Sequence, residues 1–158
     1  MVTNESVGSF VAEVVQKMPP SGIRKFFDLI EKTEGVISLG VGEPDYITPN
    51  VVREACCNAL EKGRTKYTSN SGVPELREEI AHYLQSRFEV QYSPEQILIT
   101  VGVSEAVDLA LRAITNPGDE ILVGEPCYVS YAPSVSLAGG IPVLVPARAE
   151  ENFKLKKK

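Results

Sequence analysis

Residues 97–147 read ILITVGVSEAVDLALRAITNPGDEILVGEPCYVSYAPSVSLAGGIPVLVPA. Three short apolar runs, ILITV (97–101), ILVG (121–124) and IPVLVPA (141–147), alternate with a helix expected over 104–115 and a second near APSVSLA (132–138). Strands that alternate with amphipathic helices predict βαβ units, because parallel neighbours need a long crossover that a hairpin turn cannot provide. The expected fold class is therefore α/β, a parallel or mostly parallel sheet with flanking helices. Three such strands leave edges unpaired and faces only partly covered where the stretch stops, so the chain is expected to be the leading part of a larger domain.

Upstream, two helices are expected. Over 49–62, Val52, Ala55, Cys56, Ala59 and Leu60 share one face, with Thr48 and Pro49 as cap and first turn and Gly63 as stop. Over 74–88, Pro74 sits in the opening turn and Leu76, Ile80, Leu84 and Phe88 form the apolar stripe. Earlier still, IRKFFDLIEKT (23–33) has helical spacing at Ile23, Phe26, Phe27 and Ile30, and VISLGV (36–41) reads as a short strand. Residues 1–20 form an N-terminal arm in which Pro19 and Pro20 stop any helix begun before them.

The 158 residues are 43% apolar and 23% charged, the composition of a globular chain long enough to bury ~70% of its unfolded surface. The formal net charge is −5 even though Lys154, Lys156, Lys157 and Lys158 crowd the end, which argues against a nucleic-acid surface. No apolar run is long enough to span a bilayer and the first 20 residues lack a signal-peptide core, so a cytoplasmic location is expected. Three cysteines, two adjacent at Cys56 and Cys57, make no disulfide framework, and His82 has no metal-ligand companions, so no metal is expected. Cys56, on the apolar stripe, is expected in the core.

Gly102 to Ser104 stand where a strand gives way to a helix, the place at which free backbone N–H groups and the helix dipole favour an anion. Ser104 as an ordinary helix cap explains the same residues, and the local sequence leaves both readings open. Neither GVGEPD (40–45) nor GVSEAV (102–107) supplies the glycines of a dinucleotide fingerprint, which keeps a dinucleotide-binding domain a weaker alternative. Tyr128 and Tyr131 follow the second strand, where an aromatic either stacks on a flat ligand or covers the core's end. Tyr67, in the polar loop KYTSNSG (66–72), suits a binding residue or an interface anchor.

Taken together, ISLGVGEPDYITP (37–49), KYTSNSGVPELREEIA (66–81), residues 97–131 and GGIPVLVP (139–146) resemble the N-terminal portion of the aspartate-aminotransferase-like enzymes. These are the fold-type-I, class I/II aminotransferases that use pyridoxal 5'-phosphate (PLP), and the likeness runs from about Ser21 to Val145. The resemblance implies an incomplete PLP-transferase-like large domain. Residues 1–20 would be the arm, 21–48 the small-domain and substrate-side segment, and 49–158 the first part of the PLP-binding domain. It implies that Val103 and Ser104 hold the cofactor phosphate, that Tyr128 stacks on its ring, and that Gly42 offers its backbone N–H to the substrate carboxylate. Tyr67 would reach the phosphate of a partner subunit, implying a homodimer. Amino acid and 2-oxo acid substrates follow from the family.

The family's PLP-attaching lysine, its ring-pairing aspartate and its substrate-gripping arginine all belong downstream of the matched region. Lys62, Lys66 and the terminal lysines stand at the wrong positions, so the chain is expected to carry no catalytic residue and to be inactive alone. A truncated, partner-binding or regulatory module is the alternative from another class.

Overall fold

The computed structural model describes residues 10–23, 27, 29, 30, 33–35, 37, 42 and 44–155. The helix expected at 23–33 and the strand expected at 36–41 fall largely outside the described residues, as do residues 1–9 of the arm. Along the chain the elements are α1 (Glu13–Gln16), α2 (Asn50–Glu61), α3 (Pro74–Phe88), a 3-10 turn (Pro94–Gln96), α4 (Gly102–Ile114), β1 (Glu120–Glu125), α5 (Tyr131–Leu137), β2 (Ile141–Pro146) and a second 3-10 turn (Ala149–Glu151). They divide into two compact units, residues 1–22 with 100–158, and residues 23–99.

In the 23–99 unit both expected helices form. For α2 the cap is Pro49 rather than Thr48, and no side chain bonds there; the Pro49 carbonyl accepts from the Val52 and Arg53 amides at 3.0 and 3.2 Å. Gly63 and Arg64 amides bond back to Leu60 and Ala59 at 2.9 and 3.0 Å and close the helix. Pro74 opens α3, where its missing N–H costs nothing, and Glu89 ends it in a left-handed conformation at φ 57°. Arg77 Nη1 donates to the Pro94 carbonyl at 3.0 Å and ties α3 to the 3-10 turn.

The expected core faces are only partly realised in this unit. Ile80 and Leu84 are half-buried, whereas Leu76, Phe88, Val52 and Leu60 are exposed. Cys56 is exposed too, against its expected core position. Periodicity marks which face of a helix prefers burial, but covering that face needs residues distant in sequence.

The first of the three expected strands is also corrected. ILITV is extended at Ile97, with φ −112° and ψ 126°, but joins no ladder among the described residues. The Ile99 amide donates to the Ser71 carbonyl at 3.1 Å instead, so a loop of its own unit takes a donor that a strand neighbour would need.

The unit containing residues 100–158 carries the βαβ motif. β1 and β2 are parallel, in the register Leu122 to Val143 and Val123 to Leu144, with α5 in the crossover. Val135 of α5 is 2% exposed and Val123 of β1 is 6% exposed, and these are the buried apolar residues among those described. α1 ends ahead of Pro19 and Pro20, as the arm's prolines predict, and contacts α5.

The NPGD turn before β1 is self-bonded. Asp119 Oδ2 accepts from the Asn116 amide at 2.7 Å, and the Gly118 amide donates to the Gly139 carbonyl at 3.0 Å. The Ile141 amide then donates to the Asp119 carbonyl at 2.8 Å, which sets where β2 starts beside β1.

Gly140 lies inside this junction. A Cβ there would stand 2.9 Å from Thr115 Cγ2, 3.1 Å from Val135 Cγ1 and 3.2 Å from the Asp119 carbonyl oxygen. The crowding at backbone and core cannot be relieved by one side-chain rotation. Gly140→Ala is therefore expected to cost about 1–3 kcal/mol of stability, read as a lower urea midpoint at unchanged slope.

Candidate functional site

The turn into α4 is built around Gly102, whose φ of 74° lies in the left-handed region that side chains disfavour. The Gly102 amide donates to the Thr100 carbonyl at 2.9 Å, and the Thr100 hydroxyl donates to the Gly102 carbonyl at 3.0 Å. Val101 occupies the cap position, and its amide donates to the Glu105 carboxylate. The helix thus starts two residues before the expected position. Ser104 is part of the first turn, so the reading of it as the helix cap is corrected, and no side chain caps the helix.

An α-helix leaves its first N–H groups without intrahelical acceptors. Here the amides of Val101 and Gly102 are engaged locally, so those of Val103 and Ser104 are the next ones available at the start of a 13-residue helix. Val103 and Ser104 are both exposed residues. The Ser104 hydroxyl adds one more donor. A dianionic phosphate matches this donor set, and the carboxylate of Glu105, although in the same turn, is turned back onto Val101.

Tyr128 belongs to the same compact unit, in the loop between β1 and α5, and is 54% exposed. Its ring meets that of Tyr131 edge to face, with centroids 5.9 Å apart and planes at 73°. An aromatic ring that stays half exposed beside such a contact suits stacking on a flat heterocycle. Tyr131 also lines an apolar cavity of about 310 Å³ together with Val107, Leu111, Val123 and Val135.

Tyr67 and Gly42 belong to the other unit. Tyr67 is fully exposed in the loop after α2, and a Cβ on Gly42 would meet no atom within 4 Å. The described residues contain no group of three or more His, Cys, Asp or Glu arranged to hold a metal ion, and no helix long and apolar enough to cross a membrane.

Two groups in the α4 turn were not singled out from sequence, Thr100 and Glu105. Glu105 follows the cap by four residues, close to the spacing at which a side chain reaches back to a helix's first amides, and that spacing was the available signal.

The parallel βαβ unit is part of the α/β large domain of the fold-type-I enzymes, whose solved members it matches. The family model described as aminotransferase class I and II matches residues 34–158, and the chain belongs to that family. It is 56% identical over 147 residues to the putative aminotransferase YugH of Bacillus subtilis (strain 168), covering 92% of this chain and 38% of that protein. It is 42% identical over 144 residues to an aspartate aminotransferase of Pyrococcus horikoshii, covering 91% of this chain and 37% of that protein.

Among solved structures it resembles aspartate aminotransferase from Thermotoga maritima, with a TM-score of 0.85 and 38% identity, over 92% of this chain and 40% of that one. A Pyrococcus protein, protein-A1, gives a TM-score of 0.86 and 41% identity, over 91% and 37%. The chain therefore spans less than two-fifths of the length of the curated relatives described here, and corresponds to their N-terminal portion.

Because Gly102 faces open space, the cost of a side chain there comes from backbone angle alone. Gly102→Ala is expected to lose about 1–2 kcal/mol of stability in chemical unfolding.

Proposed function

We propose that the gene product to which these residues belong is a PLP-dependent aminotransferase, moving an amino group between an amino acid and a 2-oxo acid. Residues 1–158 supply its phosphate cup, its ring-stacking face and part of its substrate cleft. The observation that carries this reading is the left-handed turn at Gly102, which leaves two amides available at the start of α4 in a chain of this family.

In this reading the Val103 and Ser104 amides and the Ser104 hydroxyl bind the phosphate, and the α4 dipole favours its charge. Val103 departs from the small residue common there, which is tolerable because the contact uses its backbone. PLP, when bound, supplies the electron sink on which amino-group transfer depends. Tyr128 covers one face of the ring and excludes water from it. The Gly42 amide receives the substrate carboxylate, and Tyr67 donates to the phosphate held by a second copy in a homodimer. The proposed organisation is an arm at 1–20, a substrate-side segment at 21–48 and the first part of the PLP-binding domain at 49–158. The lysine that attaches the cofactor is assigned to polypeptide beyond residue 158, so these residues alone bind and position without transferring.

The test is PLP binding and amino transfer by the native gene product. A saturable absorbance band from bound PLP and product formation that needs a 2-oxo acid are expected. Ser104→Ala is expected to weaken PLP binding about tenfold, the loss of one hydrogen bond to a charged group. A native product that binds no PLP overturns the reading.

A further inference from the structure

We infer that Tyr131 is the positioning residue that sets the orientation of the Tyr128 ring, and so the geometry of the ring-stacking face. The inference rests on the proposed role of Tyr128. It starts from a contrast between the two tyrosines. Tyr128 is 54% exposed in a loop, and among the described residues no hydrogen bond from its side chain fixes its ring. Tyr131 is less exposed, at 37%, and begins α5 four residues before Val135, the most buried residue described. Residues four apart share a helix face, so Tyr131 is anchored over the same side of α5 that meets the core.

The cavity lining agrees with that anchoring, since Tyr131 and Val135 both face the 310 Å³ space walled by Val107, Leu111 and β1. The backbone then brings the two rings together. The Tyr131 amide donates to the Tyr128 carbonyl at 3.2 Å, closing a turn that puts side chains 128 and 131 side by side. The rings meet at 5.9 Å and 73°, where the positive edge of one ring meets the negative face of the other. The contact therefore transmits the position of α5, fixed by Val135, to the Tyr128 ring. Tyr128 keeps 54% of its surface exposed, room for a flat ligand.

The contact uses the Tyr131 ring and not its hydroxyl, and this makes the role testable. In the native gene product, Tyr131→Phe keeps the ring, whereas Tyr131→Leu keeps a smaller apolar side chain and loses the ring with its quadrupole. The probe is PLP itself, followed by its dissociation constant and by the visible circular dichroism of bound PLP per mole bound, a signal that requires a fixed ring. Tyr131→Leu is expected to weaken PLP binding about three- to tenfold and to reduce the dichroism. Tyr131→Phe is expected to retain both.

Equal losses in the Phe and Leu variants would move the role to the hydroxyl and overturn the inference, as would an unchanged Leu variant. Urea unfolding of each variant separates a general loss of folding from loss of ring order. Tyr128→Ala distinguishes the two levels of the argument. If it leaves PLP binding and dichroism intact, the stacking role itself fails; if it abolishes the dichroism while Tyr131→Leu does not, the positioning role alone fails.

Discussion

The parallel pairing of β1 with β2 is the constraint on which the rest of this unit depends. Parallel strands cannot be joined by a tight turn, so the chain must leave the end of β1, run back along the sheet and return beside it. α5 is that return path, and Val135 is the side chain through which it is held, close against the Gly140 junction and beside the buried Val123. Everything placed at the end of β1 is displayed by this crossover. Glu125, Pro126, Cys127 and Tyr128 emerge there, and Tyr131 starts the helix that brings the chain home. The same requirement explains the crowded Gly140, since a crossover this short brings Thr115, Asp119 and Val135 to one point.

A second constraint works at the start of α4. Helix geometry always frees a few amides at an N-terminus, and what matters is which of them the protein uses for itself. This chain spends the Val101 amide on Glu105 and the Gly102 amide on Thr100. Those bonds define the left-handed turn without engaging the amides of Val103 and Ser104. The design separates the groups that shape the turn from the groups that would bind, so an anion need not compete with the turn's own hydrogen bonds. Its cost is the positive φ at Gly102, which only a residue without a side chain carries without strain.

Much of the local structure was legible in the residues. Pro74, the Leu76–Leu84 spacing and the polar loop before them define α3 to the residue, and Gly63 defines the end of α2. The order strand, helix, strand over 121–146 was equally plain, because a change from apolar run to helical spacing and back is a local signal. What failed were the burial of the α2 face and the pairing of the first strand, which needed partners from elsewhere in the chain. Val52, Cys56 and Leu60 have the pattern of a buried face, yet nothing among the described residues buries them. ILITV has the composition of a strand, yet its Ile99 amide is taken by Ser71, a residue almost thirty positions earlier. A pattern specifies a preference, and only a partner turns it into packing.

For the candidate site the division is similar. The sequence by itself determined the helices, the parallel strand order and the presence of Gly102, Ser104 and Tyr128 at turns, because proline, glycine and hydrophobic period act within a few residues of one another. The tertiary structure decided that Val101 and not Ser104 caps α4, that Glu105 and Thr100 shape the turn, and that the Tyr131 and Tyr128 rings meet edge to face. Those are matters of direction and distance. They depend on backbone dihedrals and on where a crossover helix is seated, and residue types along the chain do not encode them one at a time.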